Sequence, residues 1–270
     1  MAKDQQTKRL LSRRDTLGLI GGAGLAAIVG CGGDDEKQTT GSATNTTSAS
    51  ATRSAAATTA TRASTGSPTA APVACVVTPA LTEGPYFVDE RLNRSDIRSD
   101  PSSGAVKEGV PLRLNLTVSN VNGATCTPIA NAVVDMWHCD ALGEYSDIAN
   151  GAGQSNTSGQ KFLRGYQVTD GNGGVQFQTI YPGWYRGRTI HIHFKVRTNP
   201  DSASGYEFTS QMFLDEAITD SVLARVPYNQ KGSPDTRNAD DNIFNPDLVV
   251  PLTTEGDGYS GTLHIGVQAA

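Results

Sequence analysis

The sequence predicts an all-β domain, a sandwich of antiparallel strands with long loops, set behind a leader and a low-complexity tether. Two observations predict it. After residue 108 the apolar residues alternate in short runs, as in PLRLNLTVSN, where Leu112, Leu114 and Leu116 fall on one face. Those runs are separated by Asn-Gly, Asp-Gly and Gly-Gly pairs, whose backbone freedom suits tight turns between short strands.

The leader comes first. KRLLSRRDTLGLIGGAGLAAIVGC has basic residues, a twin arginine (Arg13, Arg14), a glycine-rich apolar run over residues 17–30, and Cys31. A spanning helix needs about 20 apolar residues, so this run is too short for one. Residues 1–31 read as a Tat-type export signal. Ile28-Val29-Gly30-Cys31 resembles a bacterial lipobox, which would put acyl chains on Cys31 and make it the only membrane contact; an ordinary signal with an incidental cysteine is the plainer alternative. The tether follows over residues 32–74. It is rich in Ser, Thr and Ala, and it lacks the large apolar residues needed to offset its ordering entropy. Residues 75–270 are left for one domain.

Within that domain the strand signals run in order. PLRLNLTVSN is followed by VNGATCTP, read as a turn, and by the strand NAVVDMWHCD. The turn ALGE leads to Tyr145. KFLRGYQVTD, VQFQTIYPG, the alternating TIHIHFKVRT and EFTSQMFLD are further strands. DEAITDSVLARVPY reads as a short helix, VPYNQKGSPDTRNADDNIFN as a long loop, and GYSGTLHIGV as a closing strand. A net charge of −5 argues against nucleic acid as a partner. Beyond Cys31, the cysteines Cys75, Cys126 and Cys139 are odd in number. Cys126 and Cys139 flank one predicted strand and stand too far apart to bridge, so a disulfide would involve Cys75, with the partner open.

Chemistry concentrates in YPGWYRGRTIHIHF. On a strand His191 and His193 share a face about 6.5 Å apart along the chain, with Ile192 on the other face toward the core. Alone, a strand His-x-His is more often incidental than metal-binding. Completing a metal site is the difficulty. His138 reads as packed and hydrogen-bonded, His264 as structural and Trp137 as core. Asp201, Glu207 and Asp215 lie beyond the strand, and Cys139 is a further option. The set fits neither a two-His-one-carboxylate Fe(II) site nor an obvious zinc site. Tyr185 and Tyr145 are better placed. A phenol has a pKa of about 10, so only a strongly Lewis-acidic ion such as Fe(III) would hold it ionised at neutral pH.

Five segments in order carry a family resemblance: TEGPYFVDERLNRSDIR, PIANAVVDMWHCDALGEYSD, TDGNGGVQFQTIYPGWY, RTIHIHFKV and TSQMFLD. Over residues 75 to 215 the sequence resembles the intradiol ring-cleavage dioxygenases, the superfamily of protocatechuate 3,4-dioxygenase and catechol 1,2-dioxygenase. The resemblance implies a non-haem Fe(III) cofactor held by Tyr145, Tyr185, His191 and His193. It implies a small aromatic diol and O2 as reactants, with cleavage between the two hydroxylated carbons to a muconate-type diacid. Tyr185 would serve as a displaced base, Arg188 would steady negative charge on the substrate, and Gln211 would be a catalytic residue near the same pocket. Pro85 and Tyr86 would wall the pocket, and Trp184 and Arg186 would flank it. The sequence departs from the catechol enzymes in carrying a leader and tether where they have a helical dimerisation segment. TDGNGGVQFQTIYPGWY also resembles non-catalytic transthyretin-like sandwiches, a rival reading that leaves the Tyr, Arg and His set unexplained. A zinc hydrolase, the third reading, lacks a good carboxylate base beside His191 and His193.

Overall fold

The computed structural model describes residues 75–149, 155–199 and 205–269. The leader, Cys31, the tether and Asp201 lie outside the described residues. Among the described residues no helix is long and apolar enough to cross a membrane.

The strand β1 (Pro111–Asn122) organises the first sheet. Its Leu112, Leu114, Leu116 and Val118 are all buried, each contributing about 1.5–3 kcal/mol. Slipping the register by one residue would turn all four outward, so the pairing is held firmly. One edge of β1 pairs antiparallel with β2 (Thr125–Pro128) and β5 (Gly174–Ile180). The other edge pairs parallel with β9 (Gly258–Val267), which pairs antiparallel with β8 (Leu252–Glu255). The second sheet has the order β4 (Arg164–Val168), β3 (Val133–Trp137), β6 (His191–Arg197) and β7 (Glu207–Phe213), antiparallel throughout. The core holds Leu114, Ile265, Val134, Met136, Ile192, Phe194 and Met212, drawn from both sheets.

The second sheet's other face carries the chemistry. Register places Trp137 opposite His193, and His193 opposite Gln211, in one row across three strands. The segment 81–94 covers this face and the sheet's β4 edge. Leu81 N–H donates to Thr209 O at 3.1 Å, Tyr166 N–H donates to Leu92 O at 2.8 Å, and Phe87 packs edge-on against Trp137. All seven residues of β6 are therefore buried, where alternation alone predicts one wet face. Lys195 is retained there by pairing with Glu83, and Arg197 by Asp135 at 2.8 Å and Asp89 at 3.2 Å.

Four further expectations need correcting. VNGATCTP is a hairpin, not only a turn: β1 continues to Asn122 because Val121 stays buried, and Thr125–Pro128 pairs back on it. β8 is a strand that no apolar alternation predicts: its residues after Leu252 are polar and exposed, and it gains its order from pairing with β9. The strands are not all antiparallel, since β1 and β9 run together. Finally, the loop expected over residues 226–245 contains two short 3-10 turns, Tyr228–Gln230 and Asn238–Asp240, and a third, Pro246–Leu248, follows it. The short helix does form, over Glu216–Leu223, capped by the Asp215 carboxylate accepting from Ala217 and Ile218 N–H.

The disulfide joins Cys75 to Cys126, 51 residues apart in sequence. Closing a loop of that length stabilises by about 4 kcal/mol on the chain-entropy account. Cys139 stays a buried thiol; its S–H donates to Gly183 O, and burial pushes its pKa up.

Candidate metal centre

Two loops and one strand build the site. The 139–145 loop leaves β3 and the 181–185 loop leaves β5, and the two are pinned together. Gly183 N–H donates to Asp140 O at 2.9 Å, and Asp140 N–H donates to Glu144 O at 2.9 Å. Gly183 is required there, because a Cβ would fall 2.3 Å from Ala141 O. The pinned loops carry Tyr145 and Tyr185 to the start of β6, where their rings stand edge to face with centroids 5.6 Å apart.

The histidines meet them. His191 Nε2 lies 3.0 Å from His193 Nε2, and Tyr185 Oη lies 3.2 Å from His191 Nε2. Tyr145 and His193 have ring centroids 6.3 Å apart. The structure thus brings Tyr145, Tyr185, His191 and His193 into one cluster. His191 Nδ1 lies 2.6 Å from Thr189 O, which can only accept, so Nδ1 carries the proton and Nε2 presents its lone pair to the cluster. Burial, aided by the nearby Arg188 charge, lowers the His191 pKa to about 3; burial and His191 hold His193 well below the ordinary histidine value. Both imidazoles are neutral at pH 7. Burial pushes both phenols above their ordinary value.

Arg188 stands beside the cluster, held from two sides. Its Nε donates to Asp241 Oδ2 at 2.8 Å and its Nη2 to Gln211 Oε1 at 2.6 Å. Gln211 Nε2 in turn donates to Thr82 O at 2.8 Å. Tyr86 stacks on Tyr145 at 4.5 Å and meets Tyr185 edge-on at 6.0 Å.

A match to the family model described as Dioxygenase covers residues 82–227. The fold and sequence are also similar to an intradiol ring-cleavage dioxygenase from Tetranychus urticae, at 31% identity over 72% of this chain and 95% of that one, with a TM-score of 0.61. The chain belongs to the intradiol ring-cleavage dioxygenase family. The chain is also similar to the dioxygenase domain of a dioxygenase carbohydrate-binding protein fusion from Streptomyces sp. SirexAA-E, at 26% identity over 72% of this chain and 100% of that one, with a TM-score of 0.52. Catechol 1,2-dioxygenase 1 from Acinetobacter lwoffii is 28% identical over 161 residues, 51% of this chain and 46% of that relative. The chain spans about half the length of the curated relatives it matches.

The remaining expected site residues of this family member are placed less centrally. Pro85 is exposed at the rim, next to Gly84. Gly84 has φ 72°, and a Cβ there would lie 3.4 Å from His193 Cε1. Trp184 packs against a neighbouring apolar cluster that includes Val110, Ala141 and Tyr181, its indole N–H donating to Gly232 O at 3.1 Å. Arg186 is exposed, near Asp235. The described contacts join Tyr86, and neither Trp184 nor Arg186, to the Tyr and His cluster. His138 is packed and fully bonded, with Nδ1 2.7 Å from Cys139 O and Nε2 2.6 Å from Thr179 Oγ1. Trp137 is core, as expected, and also lies face to face on His193 at 4.9 Å.

Sequence reasoning missed Asp241, Thr189 and Arg164. Arg164 is buried on β4; its Nε and Nη2 donate to Ser146 O at 3.2 and 2.7 Å, and its guanidinium stands 6.0 Å from the Tyr145 ring centre. It braces the loop that carries Tyr145. Asp241 sits in a stretch without periodicity, and no local signal marks it among several neighbouring acids.

The donor set fits ferric iron. Two neutral imidazoles turn toward each other, and two phenols, Tyr145 fully enclosed and Tyr185 half-buried, stand beside them. Among the described residues no three His, Cys, Asp or Glu side chains converge, so a metal here would take phenol oxygens as ligands. Phenols whose pKa is raised in this way lose their protons at neutral pH only against an ion of high charge.

Proposed function

We propose that the protein is an Fe(III)-dependent intradiol dioxygenase that cleaves a catechol-type ring between its two hydroxylated carbons, using O2, to give a muconate-type diacid. The observation that carries the reading is the convergence of Tyr145, Tyr185, His191 and His193 beside Arg188. Family membership supports the reaction class, and the catechol dioxygenase relatives support an aromatic diol as substrate.

Fe(III) held by those four side chains would supply the Lewis acidity that binds a catecholate and makes its ring reactive toward O2. The chain supplies the rest. Tyr185 is half-buried, whereas Tyr145 is fully enclosed. Tyr185 is therefore the phenolate free to leave the cluster and accept a substrate proton at Oη. Tyr145, stacked under Tyr86 and braced by Arg164, stays in place. Arg188 is oriented before substrate arrives, so its charge stabilises negative charge developing on the ring without reorganisation. Tyr86 offers a flat aromatic wall to the substrate, with Pro85 at the rim.

The purified protein is expected to be red-brown from tyrosinate-to-iron charge transfer and to bleach when iron is removed. Visible absorption with iron analysis checks this, and oxygen uptake over a panel of catechols identifies the substrate. A colourless protein would sink the proposal and favour a non-catalytic binding module.

For location, the leader supports export and anchoring through acylated Cys31, and the Cys75–Cys126 disulfide accords with an oxidising compartment. Cys31→Ser is expected to move the protein from the membrane fraction to the soluble exported fraction. Unchanged membrane association would remove the lipid anchor from the reading.

A further inference from the structure

We propose that Asp241 is the positioning residue for Arg188, delivered by a clamp that the 235–241 segment closes on residues 187–189. The inference rests on the assignment of Arg188 above.

The clamp engages three successive residues between Tyr185 and His191. Gly187 N–H donates to Asp235 Oδ1 at 3.0 Å. Arg188 Nε–H and Thr189 N–H both donate to Asp241 Oδ2, at 2.8 and 2.9 Å. Thr189 O–H donates to Asn238 Oδ1 at 2.6 Å. The clamp is itself anchored. Asn238 Nδ2 donates to Leu214 O at 3.0 Å, Asn238 N–H to Glu216 Oε1 at 2.7 Å, and Ile243 N–H to Asp241 Oδ1 at 2.8 Å. The Asp241 side chain is 2% exposed.

The arrangement is informative because a carboxylate beside Arg188 offsets part of the positive charge that would steady the substrate. Its contribution must then be orientation. An arginine side chain samples many rotamers when free. Here one edge is bonded to Asp241 and another to Gln211, which fixes the guanidinium plane before substrate arrives. The same carboxylate oxygen also accepts from Thr189 N–H, which holds the backbone on the C-terminal side of Arg188. The family model matches residues 82–227, so Asp235, Asn238 and Asp241 come from beyond the matched segment.

The test is a double-mutant cycle on the iron-loaded enzyme, with iron content and anaerobic catechol affinity (from the visible band) measured for each variant. Asp241→Ala is expected to keep iron and to change catechol affinity little. Its kcat should fall, by less than the about 10²–10³-fold expected when the Arg188 guanidinium itself is lost. In an Arg188→Ala background, Asp241→Ala should lower kcat no further, because its effect runs through Arg188. Asp241→Asn, which keeps an acceptor toward Arg188, should retain more kcat than Asp241→Ala; it carries the same cycle if the alanine variant does not fold. Independent, multiplicative losses in the double variant, or wild-type kcat in Asp241→Ala, overturn the proposal. A wild-type protein without iron or turnover removes the functional reading and this inference together, whereas wild-type turnover with multiplicative losses removes this inference alone.

Discussion

His193→Ala is expected to abolish iron binding, and with it the visible band and all measurable turnover. His193 is buried at 1% exposure, between the face of Trp137 and the Gly84 turn. Its Nε2 lies 3.0 Å from the Nε2 of His191, so the two rings act as a pair on whatever stands between the Tyr and His side chains. Removing a residue that only orients a metal ligand typically lowers affinity or activity 10–100-fold, so losing the ligand itself should exceed about a hundredfold. The truncation also opens a cavity against Trp137, and stability falls with it. For that reason His264→Ala serves as the control: it too removes an imidazole, but from β9 in the other sheet. Iron per chain and absorbance are the measurements. A His193→Ala protein that kept stoichiometric iron and its colour would remove His193 from the ligand set.

Arg188→Ala separates binding from turnover. Iron and colour should persist, because the guanidinium's hydrogen bonds run to Asp241 and Gln211, outside the Tyr and His set. Turnover should fall about 10²–10³-fold, the range seen when one preorganised stabiliser of developing charge is lost. Stability should fall as well, since breaking a buried ion pair by removing one partner costs about 3–5 kcal/mol. The loss should lie at the low end of that range: the Arg188 side chain is 15% exposed, and Asp241 still accepts from Thr189 and Ile243 N–H. Rates should therefore be compared below the lower melting temperature and normalised to iron. Arg188→Lys keeps the charge without the two-sided fork, so an intermediate rate is expected. Full turnover in Arg188→Ala would end its electrostatic role.

Much of the site is readable along the chain because its parts are local. His191 and His193 share a face by the two-residue period of a strand, and Ile192 enters the core for the same reason. Tyr185 and Arg188 lie within six residues of His191. Tyr145, just past the turn that follows the WHCD strand, is a candidate from its position, and the family pattern supplies its role as a ligand. Trp184 and Arg186 show the limit of reading by proximity. They sit on either side of Tyr185, yet Trp184 packs against the neighbouring apolar cluster and the 231–232 turn.

The alternation of Leu112, Leu114 and Leu116, the turn pairs, and the spacing of Tyr185, Arg188, His191 and His193 are properties of short stretches of chain, and the sequence by itself determined them. The tertiary structure decided what spans long separations: the parallel pairing of β1 with β9, the choice of Cys126 as the partner of Cys75, the burial of the second face of β6 under the 81–94 segment, and the approach of Asp241 to Arg188. Strand period and turn chemistry act between neighbours, where the backbone alone sets the geometry. A hydrogen bond between residues 53 positions apart depends on every element packed between them, and no periodicity in the sequence records it.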